Sequence, residues 1–518
     1  MKKTLAIAVF AAGLTSLGVE LAASRLLGNY FGASNLVWAS IIGLILIYLT
    51  AGYFIGGSWA DRSPKATTFF SILLWASLSV ALIPVAARPL LRIASQAFDE
   101  LQMGALVGSF VVVMILFIIP VTLLGTASPF AIRLSISDPE KAGKISGRIY
   151  AISTLGSFVG TFLPVLLLIP LLGTFRTFIV LGALLMLVAL AGLGIETGTK
   201  RLWRFLWMPV ILILLWFFGL PGRDKVTTGL IYEDESAYNY IQVLEYESLR
   251  MLRLNEGQGV HSVYHPDRLD FPGPWDKVLA APFFNSAPYP VENISRAAII
   301  GLAAGTTARQ LTDAFGPGIQ IDGIEIDPLV VQVGRDYFDM NEPNLNVIIQ
   351  DGRWALSQLE HTYQIISIDA YRPPYIPWHM TTLEFFSEVR AHLAPDGVMV
   401  INIGRSPTDR QLIDALTATI QQVFPSVYIT DLEQSFNSIL FATVQPTTLE
   451  NFRQNYLRLS SLEGTSPLIL NAMALTYEGL QPVHVGDIIF TDDHAPVEWM
   501  TNAMIIDFLT SGQMETLQ

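Results

Sequence analysis

Four short clusters in the second half of the chain hold residue types suited to nucleoside chemistry. Gly301-Leu302-Ala303-Ala304-Gly305 follows an apolar run, and Gly301 and Gly305 let a backbone approach a ligand closely. Glu325 lies about 20 residues further on, where an acid binds both hydroxyls of a ribose. Asp351-Gly352 ends the next run, and Asp351 can accept from an adenine amino group. Asp369 closes a fourth run. The chain has no Gly-x-x-x-x-Gly-Lys-Ser/Thr loop and no basic patch for phosphates. The expected ligand is therefore a nucleoside without a pyrophosphate, of the adenosylmethionine type. The alternative is a scaffold of the same shape with no ligand. No metal is expected, since His261 and His265, four apart, lie in a segment that contains Pro266 and reads as strand and turn.

The elements that must position these residues alternate between strand and helix. Apolar runs at Ala297–Leu302, Ile319–Ile326, Asn344–Ile349, Tyr363–Ile368 and Gly397–Ile403 read as strands, with Thr306–Phe315 helical. This predicts a parallel, doubly wound Rossmann-like domain over residues 291–518, with ligands at the carboxyl ends of its strands. Residues 231–290 read as a small antiparallel sheet, from the alternation in Tyr240–Leu244 and Met251–Leu254. Residues 221–230, opening Pro221-Gly222-Arg223-Asp224, read as a linker.

The first 220 residues are of another kind. Only 14% of the 518 residues are charged, against about 25% in soluble proteins. Residues 1–220 hold 15 Lys+Arg and 7 Asp+Glu, while the remainder holds 16 and 37. An oily, basic front thus precedes an acidic back, which argues against nucleic-acid binding. Seven segments suit a bilayer: Thr4–Leu27, Leu36–Gly57, Thr67–Ala87, Gly104–Thr126, Gly147–Leu171, Phe175–Gly194 and Trp203–Gly219. Arg88–Met103 reads as an interfacial helix. The expected location is the cell membrane, multi-pass, with the bilayer as partner. Lys and Arg concentrate on the face shared with the N-terminus, which makes that face cytoplasmic. Seven spans would then place the acidic domain outside the cytoplasm. With no cysteine, disulfides and thiolate chemistry are excluded.

Taken together, these residues resemble the spermidine synthase family, the aminopropyltransferases. The resemblance rests on Glu235-Ser236-Ala237-Tyr238-Asn239-Tyr240-Ile241, Leu252-Arg253-Leu254-Asn255-Glu256-Gly257, the glycine turn, Glu325-Ile326-Asp327, Asp351-Gly352 and Ile368-Asp369-Ala370-Tyr371. Gly18-Val19-Glu20-Leu21, Ser24-Arg25-Leu26-Leu27, Ala60-Asp61-Arg62, Leu124-Gly125-Thr126-Ala127-Ser128-Pro129 and the tail Thr491-Asp492-Asp493-His494-Ala495-Pro496-Val497-Glu498 look like its bacterial membrane-fused members. The resemblance implies a multi-pass helical membrane domain, a small antiparallel sheet and an α/β domain like class I methyltransferases and spermidine synthases. It also implies transfer of an aminopropyl group from decarboxylated S-adenosylmethionine to a small amine of the polyamine type, and a homodimer. By the family pattern Asp369 is the base and Tyr371 lines the amine channel. Glu325 holds the ribose, Asp351 and Gly352 the adenine, and Tyr238 and Asn239 cover the pocket.

Three positions depart from the family pattern. Ala304 and Arg372 stand where the family has acids, and Asn239 where it has glutamine. Asp492, Asp493 and Glu498 either fold back to replace that charge or form a solvated acidic loop. Two other functions fit the same scaffold: an S-adenosylmethionine-dependent methyltransferase, and a non-catalytic membrane subunit or sensor.

Overall fold

The computed structural model describes residues 2–31, 35–101, 105–136, 138–218, 227–255, 259–371, 375–406, 409–433 and 435–510. Residues 221–226 of the expected linker, Glu256-Gly257 and Arg372 lie outside the described residues. The chain divides into two compact units, Met1–Val226 and Thr227–Gln518.

The first unit is helical: α1 (Lys3–Phe31), α2 (Asn35–Arg62), α3 (Ala66–Leu101), α4 (Ala105–Gly125), α5 (Ala127–Ser135), α6 (Ala142–Leu163), α7 (Ile169–Thr197) and α8 (Trp207–Phe218). Among the described residues, five apolar helical stretches are long enough to cross a membrane, the fifth running 59 residues from Pro139 to Thr197. Straight, that stretch would measure about 89 Å, against a hydrocarbon core of about 30 Å. Gly173, at φ +77°, breaks it into two limbs. Six limbs of spanning length result. Lys2 pairs with Glu196 across the ends of α1 and α7, and Thr4 Oγ1 donates to the same carboxylate at 2.8 Å. The start of α1 and the end of α7 therefore share one end of the bundle, as an even number of limbs requires.

One membrane expectation changes. The interfacial helix is not separate, because α3 continues through Pro84 and Pro89 to Leu101. Of the expected seventh span, α8 (Trp207–Phe218) is the helical part among the described residues, and Gly219 lies outside them. The glycines of α6 have a packing role. A Cβ on Gly156 or Gly160 would overlap the backbone of α1 at Phe10 and Leu14, so small residues let the two helices meet closely.

The second unit opens with a four-stranded antiparallel sheet in the order β1 (Leu230–Glu235), β2 (Tyr240–Tyr246), β3 (Leu249–Leu254), β4 (Val260–Tyr264). After α9 (Pro274–Ala280) come β5 (Arg296–Ile300), α10 (Thr306–Phe315), β6 (Gln320–Glu325), α11 (Pro328–Tyr337), β7 (Leu345–Ile349), α12 (Gly352–Gln358), β8 (Tyr363–Ile368), α13 (Leu383–His392) and β9 (Leu393–Gly404). The chain ends with α14 (Gln411–Gln421), β10 (Ser426–Asp431), β11 (Asn437–Thr443), α15 (Leu449–Ser461), α16 (Pro467–Glu478), β12 (Leu480–Gln481) and α17 (Val497–Thr510).

The second sheet has eight strands in the order β12-β10-β11-β9-β8-β5-β6-β7. Strands β5 to β9 pair in parallel, while β10, β11 and β12 add antiparallel at one edge. The sheet is thus mixed rather than wholly parallel. Ala297, Ala298, Ile299 and Ile300 of β5 are all buried, as a strand covered on both faces demands. With β6 on one side of β5 and β8 on the other, winding reverses at β5/β8. Such a switch point opens a crevice at the strands' carboxyl ends.

Candidate active site

The glycine turn leaves β5 into that crevice. Gly301 and Gly305 have φ of +92° and +88°, and Ala303 between them +49°. A Cβ on Gly301 would collide with the backbone carbonyl of Asp369, so glycine is required there on two counts. The turn touches two acids from opposite sides. Ala303 N–H donates to Glu325 Oε2 at 2.9 Å. Asp369 N–H donates to the carbonyl of Ile300 at 2.8 Å.

Glu325 ends β6, and its Oε1 accepts from Asp327 N–H at 3.1 Å. Burial pushes the carboxyl up to about 7, against the backbone donors of Asp327, Ala303 and Ile326 that favour its charged form. Asp369 follows β8. Its Oδ1 accepts from Asn402 Nδ2 at 2.8 Å. Burial pushes this carboxyl up to about 6, opposed by Asn402. Tyr371 donates its hydroxyl to the carbonyl of Asn402 at 3.1 Å, and burial holds that phenol well above its usual range.

Asp351 and Gly352 lie at the same edge, with local structural roles of their own. Asp351 caps α12, accepting from Trp354 N–H at 3.1 Å. Its other oxygen meets His379 Nε2 at 3.2 Å. A Cβ on Gly352 would press into the Ile300 side chain, so its lack of one lets α12 close on β5.

The β1–β2 loop carries Tyr238 and Asn239. Tyr238 is 45% exposed. Asn239 Nδ2 donates to Asp327 Oδ2 at 2.8 Å, and its Oδ1 accepts from Asn255 Nδ2 at 3.0 Å. Ser236 Oγ donates to the same Asp327 oxygen at 2.5 Å. Asp327, 0% exposed, also caps α11 by accepting from Leu329 N–H at 3.0 Å. One buried carboxylate thus ties the small sheet to the strand that carries Glu325. The Asn239 amide is committed at both ends to that tie.

The acidic tail does not supply free charge through Asp492. Its oxygens accept from Arg353 Nη1 and Nη2 at 2.7 and 2.8 Å. Thr382 Oγ1 adds a third bond at 2.7 Å. Hydrogen bonding from Arg353 holds this carboxyl below its usual range. Of the two alternatives for the tail, Asp492 folds back, but onto the Arg353 cation next to Gly352 rather than toward an amine.

Sequence reasoning gives no role to Asn402 or Asn437, and names Asp327 only as part of the motif Glu325-Ile326-Asp327. A polar residue inside the apolar strand Val398-Met399-Val400-Ile401-Asn402-Ile403 was the available signal for Asn402, and an acid two residues after Glu325 that for Asp327.

The Spermine/spermidine synthase domain matches residues 286–444, a stretch running from ahead of β5 to the residue after β11. A "Polyamine aminopropyltransferase" of Vibrio vulnificus is 30% identical over 255 residues, covering 47% of this chain and 81% of that protein. The chain belongs to the polyamine aminopropyltransferase family. A second aminopropyltransferase relative, the "Probable polyamine aminopropyl transferase" of Bifidobacterium longum, is 34% identical over 293 residues. That match covers 54% of this chain and 64% of the relative, so the chain spans just under two thirds of its length. The human "eEF1A lysine and N-terminal methyltransferase" is 28% identical over 161 residues, 29% of this chain and 23% of that protein. Within the family domain lie the glycine turn, Glu325, Asp351, Asp369 and Asn402.

Proposed function

We propose that this chain is a membrane-bound aminopropyltransferase using decarboxylated S-adenosylmethionine and a small polyamine-type amine. The observation that carries the reading is the double contact of one turn: Ala303 bonds Glu325, and Gly301 lies against Asp369. A nucleoside whose ribose is held by Glu325 would bring its sulfonium carbon toward Asp369. Asp351 and Gly352 would border the adenine, with Tyr238 and Tyr371 on the amine side. Asp369 takes the proton from the amine, whose nitrogen attacks the propyl carbon beside sulfur. The carbon–sulfur bond breaks, and a neutral thioether nucleoside leaves. A carboxyl pushed up to about 6 is ionised at neutral pH yet basic enough to serve.

Asp369→Asn in the full chain tests this. Product formation from the decarboxylated cofactor and putrescine should vanish while nucleoside binding persists, and full activity would refute the base. Methyl transfer from S-adenosylmethionine is the second reading, favoured by buried Ala304 in place of an amine-binding acid. Incubating both cofactors with the same amine separates the two, and binding of neither supports the non-catalytic subunit.

For the membrane unit we infer six crossings, with the synthase-like domain on the N-terminal, basic, cytoplasmic face, where adenosylmethionine derivatives are made. The seven-span expectation put it opposite. Protease protection of residue 300 in sealed vesicles of known orientation decides between them. A homodimer through the soluble unit is proposed from the family resemblance alone, and light scattering in detergent checks it.

A further inference from the structure

Asp369 does not stand alone at the end of β8. Asn402, only 7% exposed, projects from the neighbouring strand β9 and donates Nδ2 to Asp369 Oδ1 at 2.8 Å. Asn402 Oδ1 in turn accepts from Asn437 Nδ2 at 2.8 Å. Asn437 Oδ1 accepts from Ser435 Oγ at 2.9 Å. Each amide oxygen meets a donor and each amide nitrogen an acceptor, so the orientation of both amides is determined. The series runs from the residue after β8, through β9, to the first residue of β11. Among the described residues no donor reaches Asp369 Oδ2.

We infer that Asn402, oriented by Asn437, is a positioning residue that holds Asp369 through Oδ1 and leaves Oδ2 to receive the proton. This rests on the reading of Asp369 as base. An amide donor aimed at a buried carboxylate favours its charged form. Burial acts the other way, and Asn402 is the opposing influence on this group. Were the Asn402 amide reversed, its oxygen would face Asp369 and repel it. Asn437 prevents that reversal, because reversal would set two amide NH2 groups against each other. Among the described residues, few other ionisable groups face the series. Tyr371 lies beside Asp369 and bonds the backbone of Asn402. At the far end Asp431 is paired with Arg405 and Arg410, and Arg405 Nη2 donates to the Ser435 carbonyl at 3.2 Å.

The test is a titration of Asp369 in the full-length, detergent-solubilised chain. Its protonated-carboxyl stretch is isolated by infrared difference against Asp369→Asn. Removal of a donor to a charged group should raise the midpoint by about one to two pH units in Asn402→Ala. Asn437→Ala should move it less, in the same direction. Asn402→Asp, equal in size but acidic, should move it most. The acidic limb of kcat/KM should follow. Activity below the limb should fall about ten- to a hundredfold and recover at alkaline pH, with KM for the nucleoside unchanged. A uniform loss across all pH values would instead mark a purely structural role. An unmoved midpoint in folded Asn402→Ala and Asn437→Ala overturns the inference. A midpoint that moves while the kcat/KM limb stays put supports the positioning and removes Asp369 as base.

Discussion

The charge state of Glu325 offers a sharp handle on the nucleoside site. Burial pushes its carboxyl up to about 7, so it changes charge across the physiological range. Sugar hydroxyls donate to a carboxylate, and the protonated acid loses one acceptor and the charge. If only the ionised form binds, the competent fraction is about 9% at pH 6 and about 91% at pH 8. Affinity for the nucleoside should then rise about tenfold between those values, or ~1.4 kcal/mol. The sign follows from the raised value: binding improves as pH climbs through 7. Isothermal titration with a neutral 5′-thioether adenosine is the suitable assay, because that ligand does not itself titrate in this window. Glu325→Gln should bind about ten- to a hundredfold more weakly at pH 8, for the loss of a charge-assisted bond, and its affinity should be flat with pH. Equal wild-type affinity at pH 6 and pH 8 would refute the assignment of Glu325 to the sugar.

Three further outcomes follow from the same geometry. Gly301→Ala combines φ +92° with a clash against the Asp369 carbonyl; it should cost about 2–4 kcal/mol in unfolding experiments and displace the base. Asp327→Ala removes the acceptor for Ser236, Asn239 and Leu329 N–H. Hydrogen exchange should speed up at residues 236–240 and at the start of α11, and leave β9 protected. Arg353→Ala and Asp492→Asn, taken singly and together, should show a coupling of about 1 kcal/mol in thermal unfolding. That figure is kept low because the Asp492 side chain is 41% exposed; full additivity would mean that the Arg353–Asp492 bonds do not matter.

Much of the architecture was legible because its causes are local. Strand and helix periods depend on near neighbours, so the expected run Tyr363–Ile368 is β8 as observed. The other four expected strands differ from the observed ones by a few residues at their ends. Gly301, Glu325, Asp351 and Asp369 end or closely follow the parallel strands β5, β6, β7 and β8, since a doubly wound sheet sets such positions along one edge; Tyr238 and Asn239 come instead from the β1–β2 loop. Asp327 and Asp351 also act as helix caps, a role that short acids after strands commonly take.

Two units of opposite net charge, an α/β order with its glycine turn, and a family resemblance carried by local motifs can all be read from the residues in order. Tertiary structure decided what each polar group holds. Asn402 reaches Asp369 across 33 residues, Asn239 reaches Asp327 across 88, and Arg353 reaches Asp492 across 139. It also decided that β10 to β12 join the sheet antiparallel, and that Gly173 parts two membrane-length limbs. The physical reason is the range of the forces that specify each feature. Hydrophobic period and capping are written within about one or two turns of chain. A hydrogen bond between distant side chains exists only once strands have paired and a buried donor has no other acceptor.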